Sequence, residues 1–239
     1  RLVADGLEIR TSVEWHAQDC LLRLECDLDV LAPATTAETM YGFVQRPTAT
    51  NTSWEQAKFE TCAHRWVHAA EPGYGITVLT PTTYGHQISR QQREGGGIYT
   101  RIGCSLLRSA AFPDPRRDAG RHQFVHVIAP GTGIADAVRM ADERSFGVRA
   151  VLGAGPVEPA VEVTGDSVAL EALKLAEDGS GDVIVRVRET CGTASRASVR
   201  LCIPASAAEC DLVERPLGEI DDAAMRLRPF EVKTLRFRR

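Results

Sequence analysis

The sequence predicts an all-β chain built from two consecutive antiparallel β-sandwiches, a larger one followed by a smaller one. First, apolar and polar residues alternate with a period of two in segment after segment. Second, Gly and Pro residues separate these segments as turns. Third, a stretch rich in Gly, Ala and Pro between two groups of strands indicates a boundary. Many short strands at regular spacing are typical of sandwiches.

The first group of strands opens with the clearest alternation in the chain, in residues 22–30, where leucine, cysteine and valine side chains alternate with charged ones. Shorter strands are predicted at Thr39–Gln45, Phe59–Val67, Ile76–Leu79, Ile98–Leu107 and Gln123–Ala129. A polar, Pro-containing loop is predicted at residues 112–122.

The two groups of strands meet in the segment 130–156, where Ile134, Val138 and Ala141 permit one short helix. The second group includes Val183–Val187 and Val199–Ile203, and a last strand closes the chain. We therefore predict a large sandwich domain at residues 1–150 and a smaller C-terminal sandwich domain at residues 151–239.

Composition excludes several functional classes. The chain has 239 residues, 44% hydrophobic and 25% charged, and its net charge of −4 gives no support for a nucleic-acid surface. No apolar run approaches the roughly 18 residues of a membrane span, and no secretory leader opens the chain. Because the first residue is Arg1 and patterned sequence starts at once, we expect a piece of a longer polypeptide.

The seven cysteines indicate the compartment. They form no CxxC pair and their number is odd, so a disulfide framework is not expected. We therefore predict a reducing, cytoplasmic location.

Aromatic, basic and turn residues are concentrated between Arg46 and His86, which holds two of the three Trp, three of the six His and two of the four Tyr residues. Aromatic faces beside Arg and His donors suit a polyhydroxylated ligand such as a sugar. The alternative is that Trp54, Phe59 and Trp66 fill the core.

No self-sufficient catalytic set is found, and no metal site is predicted. His64 and His68 are four residues apart in a predicted strand, where such positions lie about 13 Å apart. Asp114 and Asp118 could imitate the carboxylate pair of a glycosidase. However, the arginines around them are expected to form ion pairs that keep both carboxylates ionised, so a structural or positioning role is predicted.

Several motifs in order resemble the C-terminal β-region of bacterial and fungal α-mannosidases of glycoside hydrolase family 38. The motifs are Val13–His16, Leu21–Glu25, Gly42–Thr48, Asn51–Trp54, Ala63–Trp66, Glu71–Gly75, Tyr84–His86, Leu106–Ser109, Pro113–Pro115, Asp118–His122, Phe124, Leu175–Gly179, Glu214–Leu217 and Leu227–Val232. Each is weak alone, and their order across nearly the whole chain makes the match strong. Cys20 and the Gly95–Gly97 insertion depart from the family pattern.

The resemblance implies that the first sandwich is similar to a galactose-mutarotase-like supersandwich. It also implies a retaining α-mannosidase whose aspartate nucleophile and zinc lie in an upstream catalytic domain, so no catalytic residue and no cofactor are assigned to this chain. Loops of the large β-domain are implied to help form the sugar pocket. The predicted substrate-binding residues are Tyr84, Gly85 and His86 in one loop, and Asp118, Arg121 and His122 in another.

The leading hypothesis is therefore a noncatalytic region, inactive alone, whose partners are its own N-terminal catalytic domain and a mannoside or oligosaccharide. A stand-alone carbohydrate-binding module is a second reading. A mutarotase-like isomerase using His86 or His122 with Asp118 is a third. A fourth makes these loops an interdomain or homo-oligomer interface. Trp15, Trp54 and Trp66 are predicted to pack in the core or between domains.

Overall fold

The computed structural model describes residues 1–147, 150–153, 155, 158–220 and 224–238. The chain divides into two compact units, Arg1–Gly147 and Val148–Arg239. The division into a large sandwich domain at residues 1–150 and a C-terminal sandwich domain at residues 151–239 stays a prediction.

The first unit, as far as it is described, consists mainly of strands. Its elements are β1 (Leu2–Val3), β2 (Gly6–Trp15), β3 (Leu21–Leu28), β4 (Ala34–Thr39), β5 (Gly42–Pro47), α1 (Ser53–Ala57), β6 (Thr61–Cys62), β7 (Trp66–Glu71), β8 (Tyr74–Leu79), β9 (Gly85–Gln92), β10 (Ile98–Arg108), β11 (Gly120–Pro130) and α2 (Ile134–Ser145). A seven-stranded sheet has the order β1-β2-β11-β8-β7-β4-β5, and a four-stranded sheet has the order β3-β10-β9-β6.

The two sheets pack face to face because alternate residues of both are apolar. Val67, Val78 and Ala37 of the larger sheet share one buried cluster with Cys26 and Ile102 of the smaller sheet. The opposite face of the larger sheet is covered by α2, whose Val138 and Met140 pack with Trp66, Leu79 and Val127. The first unit is thus a sandwich with a helix on one outer face.

A buried ion pair also fastens α2 to the sheet. The Arg65 guanidinium lies 2.5 Å from Glu38 of β4 and 2.6 Å from Asp142 of α2. Burial disfavours the charge on Arg65, but hydrogen bonds to the two carboxylates raise the pKa of the guanidinium overall. The helix permitted by the sequence is therefore an integral part of the first unit.

The second unit is a smaller sandwich in its described residues. Its strands are β12 (Val161–Thr164), β13 (Val168–Leu175), β14 (Val183–Glu189), β15 (Ser195–Leu201), β16 (Ser206–Cys210), β17 (Pro216–Ile220), β18 (Ala224–Leu227) and β19 (Val232–Arg238). Sheets of order β12-β15-β18 and β13-β14-β19-β16-β17 enclose Val185, Val199, Leu227, Leu235 and Phe237. The predicted all-β class with two antiparallel sandwiches is confirmed.

Local predictions differ from the structure in several places. The strand expected at Thr39–Gln45 is a hairpin, because Tyr41 adopts φ +58 and reverses the chain between β4 and β5. Strand β9 was not predicted, because apolar residues do not alternate regularly in Gly85–Gln92. The segment Phe59–Val67 holds the short β6 and only the first residues of β7.

Candidate functional site

The two predicted substrate-binding loops lie at one end of the first sandwich. Residues 80–84 connect β8 to β9, and residues 109–119 connect β10 to β11. Strands β8 and β11 are antiparallel neighbours, and so are β9 and β10. Consequently β8 and β10 end, and β9 and β11 begin, at the same end. We call this the loop end, and the end that carries the β7–β8 and β9–β10 turns the opposite end.

Tyr84 presents an accessible ring at the loop end. Its side chain is exposed to 55%, and its ring stacks on His64 with centroids 6.1 Å apart and planes 28° apart. The Tyr84 carbonyl accepts hydrogen bonds from the Ala63 amide and from His86 Nδ1, both at 3.0 Å. The backbone is therefore fixed while the ring remains available to a ligand.

Gly85 and His86, which directly follow Tyr84, support the position of this tyrosine. A Cβ at Gly85 would meet the carboxylate at the end of the Glu60 side chain, which would have to move. His86 is 0% exposed, with Nε2 located 3.2 Å from Thr80 Oγ1. Burial lowers the pKa of His86, which favours the neutral ring with its proton on Nδ1. Its imidazole does not reach solvent, so its contribution is to hold Tyr84 in place.

Asp118 and His122 form the second pair. Asp118 has φ +62, and its carboxylate accepts a 2.9 Å hydrogen bond from the Arg108 amide. His122 Nε2 donates to the Asp118 carbonyl at 2.8 Å, and the His122 ring stacks on Phe124 with centroids 6.1 Å apart. These hydrogen bonds hold the loop to the last residue of β10 and to the first residues of β11.

Arg121 is the exposed member of this second group, and it lies opposite Glu14 in the register of β11 and β2. The ion pairs expected around Asp114 and Asp118 are replaced by other bonds. Both carboxylates accept main-chain amides, Asp114 from Arg116 at 2.9 Å and Asp118 from Arg108. The expectation overlooked that a tight loop must satisfy its amides locally. Within the described residues, the guanidinium groups of Arg116, Arg117 and Arg121 form no ion pair.

Hydrogen bonds join Tyr84 to His86 and Asp118 to His122. In the part of the chain that the structure describes, no hydrogen bond, ion pair or ring contact links the first pair to the second. What the two loops share is the end of the sandwich at which they emerge.

The tryptophans have three different environments. Trp66 is buried in the cluster beneath α2, and half-buried Trp15 donates to the Ser109 hydroxyl at the base of the second loop. Trp54 on α1 is 80% exposed, so it is not a core residue. For Phe59, which is also exposed, the core alternative is wrong.

Sequence reasoning missed His126, a buried residue of β11. It is 0% exposed, and neither ring nitrogen has a hydrogen-bond partner. Burial, with a smaller effect of His86, lowers its pKa to about 4. The alternation of Phe124, His126 and Ile128 could have placed it on the inner face of the sheet.

A family resemblance to zinc enzymes raises the question of metal binding. Among the described residues, no group of three or more His, Cys, Asp and Glu side chains is placed to share a metal ion. His68 packs on the α2 side of the sheet, where Nδ1 lies 3.1 Å from Thr77 Oγ1, whereas His64 lies outside the strand and approaches Glu38. The residues do not fit a zinc site, and no zinc ligand is assigned to them.

In the residues that the structure describes, every helix is too short or too polar to cross a membrane.

Comparisons with known proteins identify the architecture. The family model "Glycosyl hydrolases family 38 C-terminal domain" matches residues 4–116, and "Glycosyl hydrolases family 38 C-terminal beta sandwich domain" matches residues 167–235. The chain is similar to the protein "Alpha-mannosidase 2C1" of Homo sapiens, with 32% identity over 96% of this chain and 23% of that protein. It is also similar to "Alpha-mannosidase G" of Dictyostelium discoideum, with 30% identity over 97% of this chain and 22% of that protein.

A solved structure shows the same fold. The alpha-mannosidase from Enterococcus faecalis V583 superposes with a TM-score of 0.79 at 18% identity, over 98% of this chain and 27% of that one. The chain thus spans about a quarter of the length of the relatives it matches. On these matches the chain belongs to glycosyl hydrolase family 38, of which it forms the C-terminal β-sandwich region.

Proposed function

We propose that this chain is the noncatalytic C-terminal region of an α-mannosidase, and that the loop end of its first sandwich completes a sugar pocket on a catalytic domain. Two α-mannosidases match almost the whole chain over about a quarter of their own length. The observation that carries the assignment is that loops 80–84 and 109–119 emerge at the same end. Both loops therefore lie on the side of the sandwich that we propose faces the ligand, and β11 begins at Gly120, seven residues before the Val127 that pairs with Leu79 at the end of β8.

The proposed roles follow from exposure. The Tyr84 ring provides a face for the apolar side of a sugar ring. The exposed Arg121 guanidinium donates hydrogen bonds to sugar hydroxyls. Gly85 and His86 hold Tyr84, while Asp118 and His122 hold the second loop. A donor that is removed from a formed pocket leaves a hydroxyl unsatisfied, at a cost of about 1–3 kcal/mol.

The remaining components of the proposed reaction belong to other parts of the enzyme. The nucleophile and a zinc ion are proposed to reside in an N-terminal catalytic domain, which is the expected partner of this region. A mannoside or oligosaccharide is the proposed ligand, and a cytoplasmic location and a homo-oligomer are part of the same hypothesis. Carbohydrate binding is the property that most needs measurement.

The mutarotase-like alternative has little support in the side chains. It requires a His and a carboxylate that face the same sugar oxygen. His86 is fully buried, Asp118 accepts the Arg108 amide and His122 donates to the Asp118 carbonyl. A stand-alone binding module remains the second candidate, since exposed Tyr84 and Arg121 would suit it equally.

The test compares the chain alone with the chain joined to a family 38 catalytic domain. We expect no hydrolysis of an aryl α-mannoside by the chain alone, with or without zinc. In the joined enzyme, Tyr84→Ala and Arg121→Ala should each raise KM about tenfold, the equivalent of about 1.4 kcal/mol.

Matched controls lie at the opposite end of the same sandwich. Tyr74 is the first residue of β8 after the β7–β8 turn, and Arg93 lies in the β9–β10 turn. Tyr74→Ala and Arg93→Ala should therefore leave KM unchanged. Turnover that scales with the amount of the isolated chain would contradict the proposal, as would equal effects at the two ends. Saturable mannoside binding by the isolated chain, measured by calorimetry, would favour the stand-alone module.

A further inference from the structure

His126 and His86 form a buried pair behind the Tyr84 loop. His126 projects inward from β11 of the seven-stranded sheet, and His86 projects inward from β9 of the four-stranded sheet. Both are 0% exposed, and the charge of His86 contributes to lowering the pKa of His126. The two histidines therefore lie in the interior between the two sheets.

The environment of the pair offers no counter-charge in contact. In the strand register, His126 lies opposite Ile9 of β2, and His86 lies opposite Cys104 of β10. Cys26 lies close to Cys104. Burial raises the pKa of the Cys104 thiol to about 12 and that of Cys26 to about 11, so both thiols are neutral at physiological pH.

Two charged groups act on His86 from a distance, and their effects oppose each other. Glu60 raises the pKa of His86 and Arg46 lowers it, after burial and the Tyr84 carbonyl, which are the larger influences. A proton taken up by either ring would therefore be a nearly uncompensated charge inside the sandwich.

His126 is held less securely than its partner. Both of its ring nitrogens lack a hydrogen-bond partner, and so does the buried Thr83 hydroxyl in the Tyr84 loop. Buried polar groups without partners are rare and destabilising. His86, by contrast, is tied to the Tyr84 carbonyl and to Thr80, whose hydroxyl lies 2.7 Å from the Thr83 carbonyl. Val127, the residue after His126, pairs with Leu79, the last residue before the Tyr84 loop. We therefore expect an opening that hydrates His126 to involve the loop that presents Tyr84.

We propose that the His126–His86 pair is an acid-sensitive latch that keeps the Tyr84 loop closed at neutral pH and releases it in acid. The latch regulates the sugar-binding end, and in that respect it rests on the proposed function. Below pH 6.5 a hydrated His126 takes up a proton that the closed interior rejects. The open form is thereby favoured, and the proposed pocket loses its aromatic wall.

The size of the effect follows from the two protonation equilibria. With a pKa of about 4 when closed and about 6.5 when hydrated, lowering the pH from 8 to 5 should raise the opening constant about 30-fold. His86 shifts in the same direction and adds to the effect.

Hydrogen–deuterium exchange on the intact chain tests the latch without any sugar, so its outcome is separate from that of the proposed function. Opening constants are obtained from peptides that cover residues 80–86 and 120–130, after correction for intrinsic exchange rates. We expect these constants to be about 30-fold larger at pH 5 than at pH 8. Peptides of β14 in the second unit, which contains no histidine, should be unchanged.

Two variants sharpen the test. His126→Phe should abolish the acid response in residues 80–86, whereas His16→Gln, a change at an exposed histidine, should retain it. If His126→Phe does not fold, NMR titration of the His126 ring in the unmodified chain decides. A midpoint below about 5 supports the latch, and a midpoint near 6.5 overturns it. Unchanged protection at pH 5, or an acid response that survives His126→Phe, also overturns it.

Discussion

The two units treat buried polar groups in opposite ways. In the described residues, all side-chain atoms that are buried without a hydrogen-bond partner belong to the first unit, among them Thr35, Trp66, Thr83 and His126. In the second unit, buried Glu189 accepts the amides of Cys191, Gly192 and Phe230 at 2.8–3.0 Å.

Buried Glu214 of the second unit is equally well partnered. It accepts Lys174 Nζ at 2.7 Å and the Glu177 amide at 2.8 Å, and the hydrogen bond from Lys174 is the largest influence that lowers its pKa. The second unit thus provides hydrogen-bond partners for both of these buried carboxylates. The first unit tolerates unsatisfied groups, and polar groups of this kind concentrate where a protein binds ligands or moves.

The largest effect should come from breaking the ion pair that ties α2 to the first unit. Arg65→Met leaves Glu38 charged and buried, which we expect to cost about 3–5 kcal/mol of unfolding free energy. Urea denaturation followed by tryptophan fluorescence reports on this unit, because all three tryptophans lie in it. Arg139→Ala, which removes an exposed pair with Glu143, is the control and should cost little. A loss below about 1 kcal/mol in Arg65→Met would contradict the assignment of the buried pair.

A comparable loss is expected in the second unit from Glu189→Ala. Three main-chain amides lose their acceptor, at a cost of at least about 3 kcal/mol. Hydrogen exchange of β14 and β19 measures the effect within this unit. Glu219→Ala removes only an exposed pair with Arg238 and should leave exchange unchanged. If both variants behave alike, the contrast between the two units is not energetic.

Between pH 8 and pH 5, acid should destabilise the first unit, which contains all six histidines, and leave the second unit unchanged. Because the pKa of His126 is lowered to about 4 in the folded state, its stabilising contribution is complete above pH 6.5 and is lost as the pH falls toward 4. At pH 5 the loss should be about 2 kcal/mol relative to pH 8. Buried His68 and His86 act in the same direction, since burial lowers the pKa of each. Fluorescence-detected urea midpoints that do not change between pH 8 and pH 5 would refute this expectation.

The smallest effect is expected at Trp54. Because its side chain is 80% exposed, Trp54→Ala should change the unfolding free energy by less than about 0.5 kcal/mol. Trp66→Ala, at the matched buried residue, should cost about 3–5 kcal/mol. Urea denaturation of both variants, followed by circular dichroism, would show whether Trp54 supports the first unit after all.

The sequence was sufficient for the class of fold because alternation of apolar side chains directly reflects a half-buried sheet, as in β3 and β14. It was not sufficient for Tyr41 and β9, because a left-handed turn residue other than glycine and a polar strand carry no such pattern. The burial of His86 and the exposure of Trp54 could not be predicted either. Both depend on which segment covers them, and residues far apart in the sequence decide that.

The candidate site was predictable only through the order of its motifs. Spacing alone did not relate Tyr84 to Arg121, which are brought to one end by the antiparallel pairing of β8 with β11 and of β9 with β10. The resemblance named both loops. The side-chain contacts then separated the exposed residues, Tyr84 and Arg121, from those that hold them.

The most direct test of the account is a crystal structure of this chain joined to a family 38 catalytic domain, with a mannoside bound. The account predicts that the sugar ring lies on the face of Tyr84, within about 4 Å, and that Arg121 donates to a sugar hydroxyl at about 3 Å. A mannoside bound without any contact to residues 80–86 or 109–122 would contradict the proposal that the loop end completes the pocket.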